Sequence, residues 1–229
     1  DVKLLALVDR FLGIDFASFL REAEPAVDGR LPGGQAPFLQ SVVVLGADRP
    51  ASALDWSSFV AAADQVDDAT LAGAIAAVDP FDPLLMQFTS GTTAYPKGVL
   101  LTHDNMLRNA FVAGGRIGIA ATDRYFNCRP FYHVAGTTMS LLMSTIYGAC
   151  LVTLPAFEAG AALAMLEHER CTFTSGNDTL FQLMMGHPSF DAKALCLRGG
   201  WAAAGPETIR NIIEKMHMTA TLTKWYEEH

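Results

Sequence analysis

Short runs rich in β-formers alternate with runs of helical period along the whole chain. Residues 4–9 read as a strand, 15–23 as a helix, 31–34 as a loop, 41–45 as a strand and 55–63 as a helix. Two strands follow at 84–88 and 98–101, then a helix over 104–117, with Asp104 offering side-chain oxygens suited to capping it. The second half predicts extended chain at 125–129, a helix over 137–147, and a strand at 149–154. Beyond it come a helix at 161–169, a strand at 171–175, a helix at 179–185, a strand at 194–197 and a helix at 206–216. In that last helix Ile209, Ile212, Ile213 and Met216 form one apolar stripe at i, i+3, i+4 and i+7, with Pro206 in the first turn. This alternation predicts an α/β fold around a largely parallel sheet flanked by helices. Pro80-Phe81-Asp82-Pro83 is the expected boundary between a partial α/β subdomain over 1–80 and a second over 81–229.

Composition narrows the function. Of 229 residues 51% are hydrophobic, enough for a sizeable core. The 24 acidic side chains outnumber the 16 basic ones, giving a net charge of −8. That balance argues against nucleic acid or an anionic membrane as the main partner, so an anionic substrate must be held by a local device. Cys128, Cys150, Cys171 and Cys196 show no C-x-x-C pairing, which points away from zinc and toward reduced, buried thiols in a cytoplasmic protein. The N-terminus shows no signal-peptide pattern. Residues 134–157 carry no charge until Glu158, but Gly136, Gly148 and Pro155 interrupt them. They read as a buried helix, a turn and a buried strand, with no integral membrane segment.

The most informative stretch is Phe88-Thr89-Ser90-Gly91-Thr92-Thr93-Ala94-Tyr95-Pro96-Lys97-Gly98. Hydroxyls and free amides in a tight loop can cradle phosphate oxygens, and a lysine adds a mobile positive charge. The loop lacks the Gly-Lys-Ser/Thr ending of a Walker A sequence. A strand, not a helix, is expected after it, so it cannot draw on a helix dipole.

Thr89 to Gly98 resembles the phosphate loop of the adenylate-forming superfamily, which includes acyl-CoA synthetases, luciferases and peptide-synthetase adenylation domains. Ala94 stands where that pattern has glycine. Arg129-Pro130-Phe131-Tyr132-His133-Val134-Ala135-Gly136 is similar to the family's aromatic–His–x–x–Gly element. Gly199-Gly200-Trp201-Ala202-Ala203-Ala204-Gly205-Pro206 is similar to its adenine loop, in the wording of acid–CoA ligases. Thr174-Ser175-Gly176-Asn177-Asp178-Thr179 departs from the family's Gly-Val-Pro-Thr turn, and Asp178 is expected as a helix N-cap. Trp225-Tyr226-Glu227-Glu228-His229 matches the family's Tyr-Gly-x-Thr-Glu only at Tyr226. The resemblance spans the middle of the family's architecture, without its opening segment, metal-holding Glu or C-terminal domain.

The resemblance implies ATP-dependent activation of a carboxylic acid, fatty or aromatic, to acyl-AMP and then acyl-CoA, with ATP, Mg²⁺ and CoA taking part. It assigns Thr89, Ser90, Gly91, Thr92, Thr93 and Lys97 to the phosphates, and Ala204, Gly205, Pro206 and Tyr226 to the nucleotide. It places His133, Gly176, Gly199 and Gly200 around the acyl group, with Lys97 and His133 catalytic and no metal ligand within the chain. A piece lacking the C-terminal domain's lysine is expected to turn over weakly or not at all. Loading of a carrier protein, luciferase-like oxygenation and a non-catalytic nucleotide-binding remnant stay open as alternatives.

Overall fold

The computed structural model describes residues 2–89 and 96–218. The chain forms two compact units, divided between Val78 and Asp79. In the first, β1 (Leu4–Val8) is followed by a small antiparallel hairpin, β2 (Arg10–Phe11) and β3 (Ile14–Asp15), and by helix α1 (Phe16–Ala23). A parallel sheet places β4 (Ser41–Leu45) between β1 and β5 (Leu54–Asp55). Val42, Val43 and Val44 are all fully buried. A central strand covered on both faces is a continuous β-branched run, not an alternating one.

Aspartates start the helices of this unit. Asp15 accepts the Ser18 amide of α1 at 2.8 Å. Asp55 accepts the Ser58 amide of α2 (Trp56–Ala61) at 2.8 Å, and Asp67 the Thr70 amide of α3 (Asp68–Ala76) at 2.7 Å. The helix expected over 55–63 is α2 continued by a 3₁₀ turn, Ala62–Gln65. Helix α3 was not anticipated. It buries none of its residues, so it carries no apolar stripe for a periodicity argument to find.

The second unit opens with an antiparallel hairpin, β6 (Pro83–Thr89) and β7 (Lys97–Thr102), and helix α4 (His103–Ile117). Next come β8 (Arg124–Asn127), the short α5 (Val134–Gly136), a π-helical stretch Thr137–Leu142, and α6 (Met143–Tyr147). The rest alternates: β9 (Cys150–Thr153), α7 (Ala159–His168), β10 (Phe173–Asn177), α8 (Asp178–Met185), β11 (Gly199–Ala203) and α9 (Pro206–Met216). The four strands β11-β10-β8-β9 form a parallel sheet in that spatial order.

Pleating sorts the side chains of this sheet. Phe173 lies opposite Tyr125, and Ser175 opposite Trp201, so these four share one face. On that face Tyr125 and Phe173 pack with Ala110 and Ile117 of α4 and Met143 of α6. On the other, Phe126 and Ala202 pack with Leu166 of α7, Phe181 of α8 and Ile212 of α9.

Several expectations are corrected. The cap of α4 is Thr102, which accepts the Asn105 amide at 3.2 Å while Asn105 returns a bond to the Thr102 amide, a capping box. Asp104 sits inside the first turn and pairs with Arg108 at 2.7 Å. The helix expected over 137–147 begins three residues earlier and contains the π-helical segment. Residues 194–197 are turn and coil, and the strand is Gly199–Ala203, the segment expected to be a loop. Its glycines mislead because they serve strand packing. Gly200 has φ +150°, and a Cβ there would lie 1.8 Å from the Thr174 carbonyl oxygen of β10. The cysteines are free, but only Cys171 is fully buried and Cys150 is exposed. No helix among the described residues is long and apolar enough to cross a membrane.

One buried ion pair ties strand β8 to the segment entering β11. Asp123, 3% exposed, accepts from Arg198 Nε at 2.9 Å, from the Thr172 hydroxyl at 2.8 Å and from the Ala120 amide at 2.8 Å. Burial pushes the Asp123 carboxyl up, but the bonds from Arg198, Thr172 and Ala120 outweigh it and leave the group below its ordinary value. A carboxylate lowered in the folded state stabilises above its unfolded pKa, about 4, and that stabilisation is lost as pH falls below it. Asp123→Asn is expected to lower unfolding free energy by about 1–3 kcal/mol at neutral pH. Urea titrations at pH 7 and pH 3 check this, because the gap between wild type and variant should narrow at the lower pH.

Candidate functional site

A cavity of about 710 Å³ opens in the second unit, within the range of about 300–1,000 Å³ usual for ligand sites. Its position follows from topology. From β8 the chain runs to β9 on one side and to β10 and β11 on the other, so the crevice beside β8 and β10 is a switch point. Ligands of open α/β sheets bind at the carboxyl ends of strands at such a point. The cavity is bounded there by Arg129 just past β8, Asn177 ending β10, and Trp201 and Ala203 in β11. His133 and the α4 side chains Asn105 and Asn109 close it from the other side.

His133 is held by its own helix start. Its Nδ1 accepts the Ala135 amide at 3.0 Å as the cap of α5. With Nδ1 an acceptor, the proton of the neutral ring sits on Nε2. Gly136 is required behind it, since a Cβ there would lie 2.3 Å from the Pro130 carbonyl oxygen. The tight Arg129–Gly136 turn and the His133 orientation are thus one construction.

At the hairpin, Thr89 and Lys97 are cross-strand partners, with the Thr89 hydroxyl 3.5 Å from the Lys97 carbonyl oxygen. Both are exposed. Ser90, Gly91, Thr92, Thr93 and Ala94 lie outside the described residues, as does Tyr226. The two ends of the hydroxyl-rich loop therefore stand side by side on antiparallel strands.

The remaining site residues divide. Ala204 and Gly205 link β11 to α9, and Pro206 is the first residue of that helix. Gly176 and Gly200 belong to the sheet face opposite the cavity: a Cβ on Gly176 would meet Phe181 at 2.9 Å, and one on Gly200 the Thr174 carbonyl. Gly199 is buried at the start of β11. Of the four residues expected around an acyl group, only His133 lines this cavity, and the positions adjacent to two of the glycines, Asn177 and Trp201, line it in their stead. Along β11 Gly199, Trp201 and Ala203 share the cavity-side face, while Gly200 and Ala202 face the other way.

Asp178 is not the N-cap of α8. Asn177 is, accepting the Leu180 amide at 3.1 Å. Asp178 instead accepts the Gly205 amide, with both carboxylate oxygens at 3.1 Å. It ties the turn after β10 to the turn after β11, a role that only three-dimensional proximity reveals.

Arg129 and Trp201 were legible in the sequence only as motif neighbours. The Arg129 guanidinium stacks over the Trp201 ring at 4.8 Å from its centroid. Burial lowers the Arg129 pKa from its ordinary value. Among the described residues no group of three or more His, Cys, Asp or Glu side chains could hold a metal ion.

The profile of the family described as AMP-binding enzyme matches residues 22–226. The chain is 32% identical over 226 residues to the putative acyl-CoA synthetase YngI of Bacillus subtilis, covering 95% of this chain and 41% of that protein. It is 30% identical over 229 residues to the human mitochondrial medium-chain acyl-CoA ligase ACSF2, covering 94% of this chain and 37% of that protein. The chain thus spans about two fifths of the length of these relatives. Among solved structures, an anthranilate CoA ligase, AuaEII, in complex with anthranoyl-AMP superposes with a TM-score of 0.71 at 18% identity, covering 94% of this chain and 39% of its own. MbtA of Mycobacterium smegmatis superposes at 0.68 with 22% identity, covering 93% and 36%. At those identities the two structures speak for the fold, while the profile extends over nearly the whole chain, and on that ground the chain belongs to the AMP-binding enzyme family.

Proposed function

We propose that the protein carrying this segment activates a carboxylic acid with ATP and passes the acyl group to CoA. In the first step a carboxylate oxygen attacks the α-phosphorus of ATP, the bond to the bridging oxygen breaks, and pyrophosphate leaves with its electron pair. In the second the CoA thiolate attacks the acyl carbon and AMP leaves, giving a thioester. The observation that carries this reading is the cavity at the strand carboxyl ends, bounded by His133 and Ala203, in a unit whose hairpin brings Thr89 beside Lys97. The relatives named above, an acyl-CoA synthetase and an acyl-CoA ligase, support it.

Each residue's role follows from its chemistry. The hydroxyls of Thr89, Ser90, Thr92 and Thr93 and the Lys97 ammonium would neutralise triphosphate oxygens. His133, with its proton on Nε2, would donate to the acid's carboxylate or to a non-bridging oxygen of the α-phosphoryl group that the carboxylate attacks. Ala204, Gly205 and Pro206 let backbone approach the flat face of adenine, and Tyr226 would stack on it. Asp178 would act as a positioning residue, fixing Gly205 through its amide. Mg²⁺, when bound, would neutralise phosphate charge.

Two outcomes are expected in the full-length protein. Lys97→Ala lowers acid-dependent ATP–pyrophosphate exchange by about 10²–10³-fold, the scale of removing a charge-stabilising group, with an unchanged unfolding midpoint. Exchange equal to wild type would contradict the reading. Asp178→Ala raises the KM for ATP about tenfold, the cost of one charge-assisted hydrogen bond, while the KM for the acid stays within about twofold. Steady-state exchange kinetics with each substrate varied in turn separate the two constants.

A further inference from the structure

The cavity floor is polar in a way that acid activation does not call for. Two side chains that line it, Arg129 and Trp201, carry buried nitrogens, Nε and Nε1, with no hydrogen-bond partner among the described residues, and the Tyr125 and Ser175 hydroxyls lie unpaired within the sheet face behind them. They belong to one cluster. Ser175 and Trp201 are register partners on β10 and β11, and Tyr125 shares their sheet face on β8. Arg129 stacks on Trp201, and both line the cavity. Tyr125 and Ser175 are fully buried and Trp201 is 6% exposed. Burial pushes the Tyr125 hydroxyl up to about 12, with Ser175, Ser140, Trp201 and the Arg129 charge around it pulling the other way.

The roof of the cluster is also irregular. The π-helical segment Thr137–Leu142 carries Ser140, whose hydroxyl donates to the Ala135 carbonyl at 2.9 Å. π-Helical turns inside α-helices occur mostly at functional sites. No carboxylate among the described residues pairs with Arg129, unlike Arg10, Arg21, Arg49, Arg108, Arg124 and Arg198, each of which has an acidic partner.

The donor inventory identifies the missing partner. Trp Nε1 and the guanidinium can only donate, and the two hydroxyls can donate as well as accept. The two that line the cavity, Arg129 and Trp201, both call for an electron-rich oxygen, and beside a guanidinium with no carboxylate partner a carboxylate or a carbonyl is preferred over an ether. We propose that this cluster is a subsite for a second oxygen acceptor on the acid substrate, so that the protein selects dicarboxylic or oxo acids over hydrocarbon acids of the same length. The proposal rests on the acid-activating reading, because it takes the other end of the same molecule to lie at His133.

The experiment uses the full-length protein and acids matched in length: adipate and the corresponding oxo acid against hexanoate, and pimelate against heptanoate. Affinities are read by titration calorimetry with a non-hydrolysable ATP analogue present, and turnover by pyrophosphate exchange. The expected result is at least about tenfold tighter binding and higher kcat/KM for the acid bearing the second oxygen. Arg129→Met should abolish that ratio, and Arg129→Lys should restore part of it for the dicarboxylate. Equal affinity within each matched pair in the wild type overturns the proposal, whether or not a variant folds. So does an Arg129→Met variant that weakens every acid alike, which would assign Arg129 to the reacting carboxylate. Failure of every acid to drive exchange would instead remove the acid-activating reading, while the calorimetric ratios still score the subsite.

Discussion

The close approach of β10 and β11 at Thr174 and Gly200 fixes the register on which the site depends. With a Cβ at Gly200 only 1.8 Å from the Thr174 carbonyl, no other residue lets the two backbones lie as they do. That register sets Ser175 against Trp201 and Gly176 against Ala202. Because the pleat alternates, it also decides which residues meet the cavity and which meet helices α7 to α9. A slip of one residue would bury Trp201 among Phe181 and Ile212 and turn small residues toward the ligand side.

The two faces divide the energetic labour. One holds the larger apolar cluster, with Phe126, Leu166, Phe181, Met184 and Ile212 all fully buried, each contributing about 1.5–3 kcal/mol by leaving water. The other carries the polar cluster behind and beside the cavity, where each unpaired buried polar atom costs about 1–3 kcal/mol. A fold tolerates such a cost where the groups are completed by something else that binds. Asp178 and His133 belong to the same division. Each spends its polar atoms on a backbone amide, Gly205 and Ala135, and so fixes the turn that bounds the site.

Much of the fold was legible because its signals are local. The stripe of Ile209, Ile212, Ile213 and Met216 gave α9 its true limits, and the valines of 42–44 gave β4. The hydroxyl-rich segment was placed correctly between two strands, since Gly98-Val99-Leu100-Leu101 has β character. What stayed hidden depends on register or on distant contacts. Gly200 looks like a loop glycine because the carbonyl it accommodates, that of Thr174, is 26 residues away in sequence. Asp178 looks like a cap because Asn177 and Asp178 are both good caps, and only the neighbouring turn distinguishes them. Arg129 and Trp201 are 72 positions apart, and their stacking has no sequence signature.

The most direct test of this account is a crystal structure of the full-length protein with a stable acyl-sulfamoyl-adenosine bearing a terminal carboxylate. The adenosine is expected beside Ala204 and Gly205, the sulfamoyl group near His133, and the acyl chain between α4 and the β10–β11 face, ending on Arg129 and Trp201. An acyl chain lying on the opposite face of the sheet, or turned away from Arg129 and Trp201, would contradict it.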